Sequence, residues 1–399
     1  MPLAPRELWD LDPAVAYLNH GSFGAVPRPV TAAQLEIRAR CEANPNRFFR
    51  SELPELLDEA RAACASRVGI AVDRFAFVPN ASQGVVAATA ALLPEHGGVI
   101  ATADANYGGV VLGLRELARR RGATLRAFPT PTPECATPDG WIAAVRDGAR
   151  GADVLVVDQI VAASAQCNPV ARLVPELRRV APRCRIVVDA AHVAGHLEPA
   201  IPRGVDAWVS NHHKWACAPR ASAALVCDTD EAAAAMAPMA GSWSAERPFP
   251  HNFAQQGTAD MSAYLASPAG WEFLDRWPRE TRDAWCRGVV DAWTDELCAA
   301  WGVSSPTHPE LRTPWMRLVP LPIHRGLPDA DLDALIIAAR EYAGAEVAIT
   351  AAGERTYLRL SAFLYNDPSD VAGTRLARLS DLADLARRGE GLTDADARR

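Results

Sequence analysis

Six short runs, residues 74–78, 99–102, 154–157, 185–188, 207–209 and 223–226, are apolar along almost their whole length, with helix-like stretches at 83–93, 109–121 and 173–181 between them. A strand with one wet face alternates polar and apolar residues, whereas a strand with no polar face is covered on both sides. Buried strands separated by helices are what parallel crossovers produce. The first two thirds of the chain is therefore expected to fold as an α/β unit, a mostly parallel sheet covered by helices. After about residue 255 the texture changes. A long helical region, 262–301, leads to strands at 315–321 and 357–361 and helices at 328–342 and 368–388. We expect an N-terminal segment (1–30), a large domain (31–265), a small C-terminal α+β domain (266–389) and a charged, frayed tail (390–399).

With 399 residues, 49% hydrophobic and 22% charged, the chain has enough apolar material for a large core. A net charge of −7 argues against nucleic acid as a partner, which calls for a basic face. No run of about 20 apolar residues suggests a membrane span, and residues 1–12 lack the apolar stretch of a signal peptide. The nine cysteines are scattered with no CxxC pair and read as reduced structural thiols of a cytoplasmic protein.

Of the 41 Lys and Arg residues one is lysine, Lys214, and the other 40 are arginine. Drift toward GC-rich codons exchanges Lys for Arg wherever charge alone matters, but arginine stays protonated and cannot replace an amine that must attack carbon. Lys214 also lies just past an apolar run, and ligands of open α/β sheets gather outside the carboxyl ends of the strands. Two other runs end in polar groups: 185–188 at Asp189, 25 positions before Lys214, and 74–78 at Asn80-Ala81-Ser82, which opens a helix. Taken singly, Asn80 or Ser82 could be a helix cap, Asp189 a turn cap and Lys214 a surface ammonium. Together they describe pyridoxal 5′-phosphate (PLP): phosphate on a helix N-terminus, ring nitrogen on Asp189 and aldehyde carbon on Lys214. His212 and His213 lack further partners at zinc-like spacing, so no metal is expected. No GxGxxG, GKS/T or GxSxG motif occurs.

These motifs and several others resemble the fold-type I PLP enzymes of the class V aminotransferase group, in particular the isopenicillin N epimerase-like and cysteine C–S lyase branch. The likeness runs from residues 17–27, Tyr-Leu-Asn-His-Gly-Ser-Phe-Gly-Ala-Val-Pro, to Leu358-Arg359-Leu360-Ser361-Ala362. It implies that Asn80, Ala81 and Ser82 hold the phosphate, that Tyr107 stacks on the ring, and that Asp189, His192, Asn211, His213 and Lys214 surround the cofactor. Thr258, in Gly257-Thr258-Ala259-Asp260, would reach the phosphate of a neighbouring subunit, which implies a homodimer with composite sites. Arg359 would bind the substrate carboxylate, a task suited to its planar fork, with Asn19 beside the substrate. Asn211 stands where the family usually has Ser, and residues 158–166 depart from the family's Ser-His and Ser-x-Thr-Gly pattern.

Lys214, freed from the cofactor, is the natural base at the substrate Cα. Epimerisation needs a second acid/base opposite it, with Tyr107 and His20 the candidates; elimination needs only the lysine. A C–S β-lyase of an S-substituted cysteine, in natural-product biosynthesis, is the favoured expectation. An isopenicillin N-type epimerase and a decarboxylating oxidative deaminase stay open. A non-catalytic PLP-binding regulator would need an attached DNA-binding module.

Overall fold

The computed structural model describes residues 1–198, 200–322 and 329–379. In chain order its strands are β1 (Ala16–Tyr17), β2 (Phe75–Val78), β3 (Val99–Ala103), β4 (Thr124–Phe128), β5 (Val154–Asp158), β6 (Arg185–Asp189), β7 (Ala207–Asn211), β8 (Ala223–Val226), β9 (Met316–Pro320), β10 (Ala345–Glu346), β11 (Ala348–Ala352) and β12 (Arg355–Ser361). Seven form one sheet in the order β2-β8-β7-β6-β5-β3-β4. The run from β7 to β4 is parallel; β8 pairs antiparallel with both β7 and β2. The α/β expectation thus holds, and all six expected strands are present within two residues at either end.

Every residue of β2, β5, β7 and β8 is buried, because apolar clusters cover both faces. One gathers the N-terminal segment, the helix Leu53–Val68 and the C-terminal region; the other is built around the helices Ala81–Leu92 and Gly108–Arg121. The helix Ala81–Leu92 lies close on the sheet because Gly84 leaves room: a Cβ there would stand 2.6 Å from Val209 Cγ1. The Asn80 side chain accepts the N–H of Gln83 and starts the helix.

A second sheet, β11-β12-β9, is antiparallel. The N-terminal segment is tied to this region by the parallel pair β1-β10 and by a bridge from Asn19 to Ser361. The helical region 262–301 resolves into Ser262–Leu265, Ser267–Leu274 and Arg279–Trp301. Of the helix expected at 328–342, Asp329–Glu341 is present. The helix expected at 368–388 is not continuous: an Asp367 capping box opens only a short turn, Pro368–Asp370, and another, Leu376–Arg378, follows Gly373 and Thr374. Residues 380–388 and the tail 390–399 lie outside the described residues, as does Pro328.

Candidate active site

Three strand ends, one helix N-terminus and one N-terminal turn converge on a cavity of about 240 Å³. Lining it are Ser22 and Phe23, the group Asn80, Ala81 and Ser82, and Tyr107; from the strand ends come Asp158, Asp189, His192, Asn211, His213 and Lys214; Arg359 closes it. Most of the expected site is thereby brought together from positions as distant as 22 and 359.

The loop that carries Lys214 is held by backbone packing. Gly24 has φ +68°, and a Cβ on it would stand 2.1 Å from His213 O and 2.8 Å from Lys214 O. His20 secures the loop from the same turn: its Nε2 donates to Lys214 O at 2.9 Å, its Nδ1 accepts from the Tyr365 hydroxyl at 3.0 Å, and its ring stacks on Phe363 at 3.7 Å. His20 is therefore not the second acid/base. Its ring is fully buried, does not line the cavity, and burial lowers its pKa to about 3. Asn19 likewise falls outside the cavity lining; its Oδ1 accepts from Ser22 Oγ and from Arg359 Nη2, so it orients the arginine.

Burial, reinforced by Arg359 and opposed by Asp189 and Asp158, brings the Lys214 ammonium down to about 7. The amine is thus available as nucleophile and base near neutrality. It lies 3.1 Å from His192 Nε2, whose imidazole is kept neutral by burial and by Lys214 and Arg359. Asp189 accepts the N–H of Ala191 on Oδ1, while Oδ2 is buried without a partner; desolvation raises its pKa to about 6. An orphaned carboxylate oxygen at the floor of a cavity suits a protonated ring nitrogen. At the helix start, Asn211 Oδ1 takes the Ala81 N–H and Asn80 Oδ1 that of Gln83. Among the described residues the Ser82 N–H between them finds no acceptor in the chain, which fits a phosphate oxygen. His213 donates Nδ1–H to Ser222 O and burial lowers its pKa to about 4. Tyr107, half exposed, opens the helix Gly108–Arg121 at the mouth of the cavity.

Arg359 is buried without a carboxylate partner among the described residues. Its Nη1 donates to Ala162 O at 2.5 Å and its Nη2 to Ser22 Oγ at 2.7 Å, and Nε has no partner. Desolvation lowers its pKa to about 10. A buried guanidinium lacking its anion is a binding site for one. Thr258 sits in an exposed loop outside this cavity. Sequence reasoning did not single out Ser22 or Phe23, and it treated Asp158 only as part of an unusual segment; the register pairing of Asp158 with Asp189 needs the strand order. In that segment Ile160 and Ala162 face the cofactor cavity, whereas Val161, Ala163 and Ser164 face a second cavity of about 270 Å³. Among the described residues no cluster of His, Cys, Asp or Glu could hold a metal ion, and no helix is long and apolar enough to cross a membrane.

A buried lysine, an acid with an unpartnered oxygen and a helix N-terminus around one cavity match what a PLP enzyme of fold type I requires. The sequence model of the aminotransferase class-V family matches residues 17–373, and the chain belongs to that family, whose cofactor is PLP. It is 30% identical over 290 residues to isopenicillin N epimerase of Amycolatopsis lactamdurans, covering 67% of this chain and 71% of that protein. An L-cysteine desulfhydrase of Arabidopsis thaliana is 25% identical over 283 residues, 66% of this chain and 61% of that protein. In fold the chain is similar to a cystine C–S lyase solved with its product cysteine persulfide, with a TM-score of 0.75 at 18% identity over 92% of this chain and 97% of the other.

Proposed function

We propose that this protein is a C–S β-lyase that cleaves an S-substituted cysteine to a thiol, pyruvate and ammonia. The observation that carries the reading is that Lys214 brings an amine near neutrality into the cavity, while of the two candidate second bases His20 is locked into the core and Tyr107 stands half exposed at the cavity mouth. Elimination needs one base; inversion needs two. The names of the desulfhydrase and lyase relatives agree with this choice.

PLP supplies an electron sink that acidifies the bonds at the substrate Cα. The chain's residues do the rest. Arg359, held by Asn19, Ser22 and Ala162 O, binds the substrate carboxylate. Lys214 Nζ takes the Cα proton, the Cβ–S bond breaks with its electron pair leaving on sulfur, and the thiolate takes up a proton. Water then releases the three-carbon remainder as pyruvate and ammonium. Asp189 would keep the ring nitrogen protonated, Ser82, Asn80, Asn211 and His213 would hold the phosphate, and Tyr107 would cover the ring. We assign Thr258 to the phosphate of a second copy, making the enzyme a homodimer with composite sites. The likeness to isopenicillin N epimerase supports a natural-product conjugate as substrate.

The test is to incubate the purified protein with S-alkyl cysteines and with an isopenicillin-type peptide. Pyruvate with thiol is expected. Inversion at Cα without pyruvate, or release of CO2, would replace this reading with the epimerase or the decarboxylating deaminase. Retained turnover in Lys214→Ala would defeat all three. Mass in solution checks the dimer, and an active monomer would refute the role of Thr258.

A further inference from the structure

Four arginines are buried among the described residues: Arg61, Arg282, Arg317 and Arg359. Arg61 is paired with Asp58 at 2.9 Å and Arg317 with Asp291 at 2.7 Å, and Arg359 faces the cofactor cavity. Arg282 has no such account. It is 6% exposed, its Nε is buried without a partner, and its guanidinium has neither a hydrogen bond nor an ion pair among the described residues. Burial and the nearby Arg279 lower its proton affinity, opposed by Asp275 and Glu198, yet an arginine keeps its charge. A buried, unpaired charge is costly, so the position calls for an anion.

Arg282 lines a cavity of about 860 Å³ that shares no lining residue with the cofactor cavity. Strand direction explains the separation. β6 and β7 deliver Asp189 and Asn211 at their carboxyl ends, whereas Ile70 precedes β2, Arg203 precedes β7 and Asp228 follows the antiparallel β8, so this cavity lies at the opposite end of the sheet. The acids that line it are engaged elsewhere: Asp275 pairs with Arg67, Asp228 Oδ2 accepts the Gly204 N–H at 2.7 Å, and Glu198, at the exposed rim, stands 3.9 Å from Arg279 Nη1. Those same carboxylates repel a ligand that carries several negative charges. Val68, Ile70, Ala200, Ile201 and the buried Trp271 add apolar wall, and the volume is that of a small-molecule site. We infer that this cavity is a second ligand site, in which Arg282 binds the carboxylate of a singly charged organic acid with an apolar body. No lysine, cysteine or histidine lines it, and its role is binding, apart from the chemistry at Lys214.

The experiment follows thermal unfolding and equilibrium dialysis of the cofactor-loaded protein with 4-methylpentanoate, which has one carboxylate and no amine to react with the cofactor. Arg359→Ala serves as the background, so that the proposed substrate site does not contribute. At about 100 times its dissociation constant the probe raises Tm by about 3 °C in that background, and about one molecule is retained per chain. Adding Arg282→Met, which fills the space without a charge, abolishes both the shift and the retained molecule. If the methionine variant folds poorly, Arg282→Gln keeps polar contacts without the charge and gives the same loss. L-Leucine separates two sources of the carboxylate: an Arg282-dependent shift larger than that of 4-methylpentanoate identifies an amino acid whose ammonium meets Glu198 or Asp228, and an equal shift identifies a plain acid. An Arg282-dependent shift with inorganic phosphate and none with 4-methylpentanoate overturns the carboxylate. No shift with any of the three probes, or a shift that survives both Arg282 substitutions, overturns the site.

Discussion

Acidification of the cofactor-free protein offers a sharp test of how its interior is built. Five histidines, His20, His192, His196, His212 and His213, are held neutral, their imidazoles pushed below the ordinary range chiefly by burial. A ring that binds its proton less readily folded than unfolded costs stability as pH falls through its unfolded pKa of about 6.5. Between about pH 7 and pH 5 each such ring costs about 2 kcal/mol, so five cost about 10 kcal/mol. Asp189, raised to about 6, and Asp158 work in the opposite sense and return up to about 4 kcal/mol together. Lys214 is protonated in both states below about 7 and hardly contributes. The net loss of about 6 kcal/mol is comparable to the whole stability of many domains. Urea unfolding followed by tryptophan fluorescence should show it as a steep fall in the midpoint. His212 isolates one ring: neither of its nitrogens has a partner, and it packs between Phe75, Phe77 and Trp271. His212→Phe should leave stability near pH 7 unreduced and shrink the acid loss by about 2 kcal/mol. A flat or rising stability between those pH values, or an unchanged loss in His212→Phe, would refute the reasoning.

Arg359→Ala should raise the Michaelis constant for amino-acid substrates by roughly 30-fold to a few hundred-fold, equivalent to about 2–3 kcal/mol, because a buried carboxylate loses its fork; Arg359→Lys should restore little. An unchanged constant would remove the arginine from the substrate site. Gly24→Ala, which places a Cβ against His213 O and Lys214 O at positive φ, should destabilise by about 2 kcal/mol or more and weaken cofactor retention, read by thermal unfolding and by dialysis. The rate of cofactor capture by the free protein should rise with pH through about 7, the titration of Lys214; a rise only near the pH of an ordinary lysine would contradict the desolvated amine.

The parts of this fold that a sequence states most clearly are those where burial leaves no choice of residue. β5, β7 and β8 are apolar on both faces and could be read directly. β4 could not: it is an edge strand, with Thr124 and Ala127 exposed and Arg126 only partly covered, so its composition does not set it apart from a loop. The helix Arg28–Ala43 buries Val30 alone and gives a weak apolar stripe. At the site, Lys214, Asp189 and the Asn80–Ser82 turn were legible because each follows a buried strand. His20 was misassigned because its type and its neighbourhood to Lys214 are correct while its ring direction is decided by Phe363 and Tyr365, more than 340 positions away. Asp158 shows the same limit in reverse: its chemistry depends on which strand lies next to β5.

Because Lys214 is the only lysine of the 399 residues, the ε-amine chemistry of this protein is confined to the floor of one cavity. Reagents that label lysines on other proteins report here on access to a single point, apart from the chain's terminal amine. Hydride reduction of the bound cofactor would fix it at one place without mapping. Competition between cofactor and an amine-directed label could then be followed on the intact chain by mass, each molecule carrying at most one internal tag. The scarcity of lysine makes the proposed catalytic group its own probe.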